Sequence, residues 1–200
     1  MSAKKIGPGR GRPRGFDTEA AVETAMKLFH ERGYDGVGVA ELGQAIGVKA
    51  PSLYAAFGSK LGLFERAVAL YLAEGGRFVA EALSREDGLV EILRDLLLKA
   101  AEAYTSGDCP SGCLVMDSTR NAADPEARDL TAALKRRSRA AIRDRIARDC
   151  PEQAAELADY VMVALYGLSA AARDGLSREA LRGVAASFAD ELSRRIEAAK

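Results

Sequence analysis

Tryptophan is missing from this chain, histidine occurs once, and cysteine three times. A single histidine excludes constellations that need two, such as paired-histidine metal sites. Three cysteines give no even set for a disulfide framework, which points to free thiols and the cytoplasm. No apolar run approaches the roughly 18 residues of a membrane span. The basic start, Met1 to Arg14, is followed by no apolar stretch, so it does not read as a secretory signal. Strand-like alternation is not sustained anywhere, and no repeat recurs at a fixed period. Without strands there is no place for a strand-borne, glycine-rich phosphate loop. Paired carboxylates such as Asp117 with Asp124 stand in no supporting pattern. The expectation is a non-enzyme that needs no metal or other cofactor.

Net charge is also absent, since 29 basic side chains meet 29 acidic ones. Their placement is uneven. Residues 1–15 hold Lys4, Lys5, Arg10, Arg12 and Arg14 and no acid, which leaves 24 basic against all 29 acidic side chains in the rest. A negatively charged partner would therefore be met at the front of the molecule. The same stretch has four glycines and two prolines. It cannot bury apolar surface or hold a helix, so it reads as a mobile arm. The other 185 residues have the composition of a globular protein large enough to bury a core, at 48% hydrophobic and 29% charged overall.

Helical periodicity dominates after the arm. Asp17 or Thr18 caps a helix to about Arg32, with Val22, Ala25, Met26 and Phe29 on one face. Short helices follow at about Val39–Ile46 and Ala50–Phe57, separated by Gly47. Ser59 caps a long helix that Gly75-Gly76 weakens. Five more are expected, at about Asp87–Thr105, Cys113–Ala122, Pro125–Asp149, Pro151 to Gly175, and from Ser177 onward. The lone His30 reads as a half-exposed surface residue. Residues 135–148 carry seven basic groups and one acid, Asp144. They read as a solvated face, with an anion-binding surface as the weaker alternative.

Two short helices joined by a glycine turn and packed on an earlier helix make a helix-turn-helix. The second helix must present small or hydrogen-bonding side chains to the major groove and keep an apolar anchor inside. Leu53 and Phe57 supply the anchor, while Lys49, Ser52 and Tyr54 lie on other faces. Lys60 starts the next helix, where unpaired backbone N–H groups and its own charge suit a phosphate.

Residues 14 to 64 resemble the N-terminal domain of the TetR/AcrR family of bacterial transcriptional regulators. The resemblance rests on Ala25, Leu28, Phe29, Gly33, Tyr34, Leu42, Ala45, Gly47, Val48, Leu53, Tyr54, Phe57, Lys60 and Leu63-Phe64. The run Pro51-Ser52-Leu53-Tyr54, with Phe57 and Lys60 behind it, is its most specific part. It implies an all-α fold with a flexible basic arm (1–15), a helix-turn-helix domain (16–62), and a helical effector-binding and dimerisation domain (63–200). It also implies DNA contacts from Lys49, Ser52, Tyr54 and Lys60, with Arg10, Arg12 and Arg14 reaching a neighbouring groove. Gly38 departs from the family pattern, which has a serine or threonine there. That leaves one phosphate-binding hydroxyl missing.

The resemblance further implies a homodimer on a palindromic operator in double-stranded DNA, with the last two helices pairing across a four-helix interface. Its apolar candidates are Leu165, Leu168, Leu181, Val184, Phe188 and Leu192, for which the competing reading is plain intrachain core. A pocket for an unknown small effector is implied too. Phe78, Tyr104, Met116, Tyr160, Met162 and Tyr166 are candidate walls, each equally readable as core. The expected outcome is repression relieved by ligand; the alternative is constitutive DNA binding without an effector. A second alternative is redox or electrophile sensing through Cys109 or Cys113. Cys113 stands at a helix start, where the dipole lowers a thiol's pKa.

Overall fold

The computed structural model describes residues 17–75, 77–107 and 109–198. Among these there are ten helices and no strand. They are α1 (Thr18–Arg32), α2 (Val39–Ile46), α3 (Ala50–Phe57), α4 (Lys60–Glu74), α5 (Phe78–Leu83), α6 (Leu89–Ala103), α7 (Leu114–Asp117), α8 (Pro125–Ile146), α9 (Ala154–Arg173) and α10 (Arg178–Ala198).

Side-chain caps set the starts of α1, α4 and α8. Asp17 accepts from the backbone N–H groups of Glu19 and Ala20, Ser59 from Gly62, and Asp124 from Glu126 and Ala127. Each cap satisfies donors that the first helical turn leaves unpaired. Three differences from the sequence reading stand out. The break near Gly75 is complete, so residues past it form a separate short helix, α5. The helix expected over Cys113–Ala122 is the single turn α7. Its end is drawn away because the Ser118 carbonyl accepts from the Tyr34 N–H at 2.7 Å and Thr119 pairs with Thr131 at 2.5 Å. The helix expected from Pro151 starts at Ala154, after a turn.

Two packing centres share one continuous core. In the first, α1 to α4 close on a ring cluster. Phe29 meets Phe64 edge-on at 5.1 Å and Tyr34 at 5.8 Å. Leu42, Leu53 and Leu63 are fully buried around them, each leucine contributing about 1.5–3 kcal/mol. In the second, α6 packs on α10 and α9, and α8 lies along α9. α4 runs unbroken from one centre to the other, so the border expected at 62–63 falls inside a helix. By length and composition α9 is apolar enough to cross a membrane, against the expectation that no apolar run approaches that length. Its Leu157, Val161, Leu165 and Leu168 are buried in the protein core instead.

Candidate nucleic-acid interface

The turn between α2 and α3 is built on two glycines. Gly47 takes the left-handed conformation, φ 82°, which glycine adopts without steric cost. Gly43 sits inside α2, yet a Cβ there would come within 2.7 Å of the Val48 carbonyl oxygen. That carbonyl is close because the Val48 N–H donates to the Gly43 carbonyl at 2.8 Å. The two helices can therefore cross tightly only with glycine at 43.

α3 then buries Leu53 and Phe57 and turns its other side outward. Lys49, Ser52 and Tyr54 are all exposed, and Tyr54 keeps 48% of its surface. A tyrosine left that open contributes little to its own core, so the ring is free to meet a partner. α2 starts at Gly38 with no side-chain cap. Lys60 is only half-buried. Its Nζ lies 4.2 Å from the Tyr34 ring centroid, and Tyr34 donates its hydroxyl to Asp124 Oδ2 at 2.8 Å. Partial burial lowers the Lys60 pKa, while Asp35 and Asp124 act to raise it. Asp124, at the head of α8, is pulled below the usual carboxylate range chiefly by the Tyr34 hydroxyl. The sequence reading gave Tyr34 and Asp124 no role. The proline after Asp124, which marks a helix start, was the available signal.

The reading head is bolted to the rest by α1's last turn. Arg173 of α9 donates to the carbonyls of His30 and Glu31 at 2.7 and 2.9 Å. Asp35 Oδ2 accepts from the Ala123 N–H at 2.6 Å. His30 is a correction to the surface assignment: it is 2% exposed. Its Nε2 lies 3.1 Å from the Gly112 carbonyl oxygen and its ring sits edge-on to Tyr71. Burial lowers its pKa to about 4, so the ring is neutral at pH 7 and Nε2–H donates to Gly112.

Residues 21–67 match the family model for bacterial regulatory proteins of the tetR family. The chain is 37% identical over 197 residues to the HTH-type transcriptional repressor BdcR of Escherichia coli, covering 98% of this chain and all of that one. The chain belongs to the TetR family. It is 33% identical to the repressor ComR of the same organism, over 92% of each chain. A cysteine mutant of the TetR family regulator CifR, complexed with a 26-bp double-strand operator DNA, has the same fold. Its TM-score is 0.82 at 36% identity, over 90% of this chain and 98% of that one. These relatives are regulators, not enzymes, and α2–α3 is the helix-turn-helix of a TetR-family transcriptional regulator.

The remaining expectations of the TetR-like reading divide. Arg10, Arg12 and Arg14 lie outside the described residues. Phe78, Tyr104 and Met116 line one cavity of about 270 Å³. Tyr160, Met162 and Tyr166 do not reach it. Tyr160 points to the outer side, where it meets Phe188 edge-on at 5.9 Å. Met162 and Tyr166 line a groove between α8 and α9.

Of the dimer candidates, Leu165, Leu168, Leu181 and Leu192 are at most 1% exposed within one chain. They are core residues and offer a partner no surface. Val184 and Phe188 retain surface, and Val163 on α9 is 65% exposed. Cys109 is half-buried, in an open groove with Lys27 and Arg173. Cys113 is buried, and burial raises its thiol pKa, opposing the lowering that a helix start would give. No cluster suited to a metal ion occurs among the described residues.

Proposed function

We propose that this chain is a cytoplasmic, homodimeric repressor that holds a palindromic operator through α3 and releases it when a small molecule binds. The carrying observation is the outward row Lys49, Ser52 and Tyr54 on a helix anchored by Leu53 and Phe57, in a fold shared with an operator-bound relative. Lys49, Ser52 and Tyr54 touch base edges or phosphates, and Lys60 holds a phosphate. The basic arm 1–15 reaches a neighbouring groove, residues 16–62 read DNA, and residues 63–200 carry effector binding and pairing.

The outer faces of α9 and α10 support pairing. Val163 on α9 and Val184 on α10 are exposed apolar side chains, and Phe188 on α10 keeps part of its surface. Two-fold pairing sets the half-sites roughly 34–36 Å apart in the simplest case. The cavity beside Tyr104 supports effector binding. A ligand that prefers one spacing of the two heads shifts the population away from the DNA-bound form.

Electrophoretic binding to duplexes flanking the protein's own coding region tests this reading. Retarded complexes are expected, weakening steeply with salt. A single-chain species in sedimentation that ignores every duplex at low ionic strength would end it. Release from DNA by members of a metabolite panel separates the effector reading from a constitutive DNA-binding factor.

A further inference from the structure

The cavity bounded by α4, α5, the end of α6, α7 and α8 has an uneven chemistry. Its walls are mainly apolar, with Phe78 and Met116 among them. Of its fifteen lining residues, two are arginines, Arg77 and Arg137, and none is acidic. Both arginines are exposed, so they mark the mouth. Most arginines on this surface are tied into ion pairs, yet neither of these has one among the described residues.

The floor holds the opposite anomaly. Tyr104 is 1% exposed, and its hydroxyl has no hydrogen-bond partner among the described residues. The Cys113 thiol and Tyr71 lie nearby, but neither supplies a bond of adequate geometry. A buried hydroxyl without a partner is destabilising, and a bound oxygen would relieve it.

We propose that the cavity takes a small carboxylic acid with an apolar body and a second oxygen at its far end. The carboxylate sits between Arg77 and Arg137, whose planar guanidinium groups match it in two-point hydrogen bonding. The body packs against Phe78 and Met116. The far oxygen accepts from the Tyr104 hydroxyl. A volume of about 270 Å³ lies just under the range of drug-sized sites, roughly 300–1,000 Å³, and suits a single-ring acid. This deepens the effector reading above and rests on it only for the consequence to DNA.

Isothermal titration of the full chain, without DNA, tests the site with 4-hydroxyphenylacetate, phenylacetate, 4-hydroxyphenylacetamide and tyramine. The hydroxy acid is expected to bind at least tenfold tighter than its amide or the amine. The double variant Arg77→Gln, Arg137→Gln should erase that preference while folding and binding DNA as before. Tyr104→Phe should bring the hydroxy acid down to the affinity of phenylacetate and leave phenylacetate unchanged. Equal or tighter binding of the amide or amine, or no binding by either acid, overturns the proposal. Acid binding that leaves operator affinity untouched would confirm the site and sink the effector reading instead.

Discussion

His30 is neutral because burial outweighs its bond to Gly112, and that fixes a pH dependence. Its folded pKa, about 4, lies below the unfolded value of about 6.5. The unfolded chain therefore binds the extra proton first as pH falls. Stability from this group is full above about pH 6.5 and is lost as pH drops toward 4, by up to about 3 kcal/mol. Denaturant unfolding at pH 7 and pH 4.5 should show the loss, and His30→Gln should flatten it.

Lys60 supports a second prediction at this scale. Lys60→Ala should weaken operator and unrelated DNA alike and reduce the salt slope by about one. A change in sequence preference with the slope intact would mean that Lys60 reads bases. Tyr34→Phe keeps the ring beneath Lys60 but severs the bond to Asp124. It should give a smaller fall in affinity without altering the salt slope.

At the scale of elements, some helix starts are legible because capping is local chemistry. Asp17 and Ser59 each bond the first turn of the helix they precede. α2 is one of the helices that start without a side-chain cap, because Gly38 has no side chain to offer. A side chain there meets nothing within 4 Å, and φ is −84°, so serine fits without strain. Gly38→Ser should raise stability by only a few tenths of a kcal/mol. It should raise DNA affinity more, by restoring the phosphate-binding hydroxyl that the family resemblance implies at this position. Thermal unfolding and fluorescence anisotropy measure the two effects separately. α7 was misjudged for a reason outside its own sequence: the Tyr34 N–H captures the Ser118 carbonyl that a longer helix would use.

Across the whole molecule, α8 has two jobs. Its first residues follow Asp124, which holds Tyr34 in the reading head, and its middle lines the cavity with Leu134 and Arg137. Occupancy of the cavity and placement of the head thus bear on one rigid element. In the proposed dimer, the outer face of α9 and α10 carries the pairing. Val184 is 41% exposed in one chain, so Val184→Glu should leave the fold intact. In an interface related by a two-fold axis each substitution is made twice. The dimer should weaken at least tenfold in sedimentation equilibrium, with cooperative operator binding lost alongside. An unchanged dimer would place the interface elsewhere.

Most of the helices, the reading motif and its anchors were legible along the chain, because periodicity, caps and turn glycines act over a few residues. The sequence could not separate Leu165 or Leu192 from Val184, since all lie at similar helical spacing. Only packing decided which side faces the core. Nor could it place His30 beside Gly112, 82 positions away, or gather Arg77, Tyr104 and Arg137 around one cavity. Those contacts join segments distant along the chain, and only the folded arrangement of helices sets which of them meet.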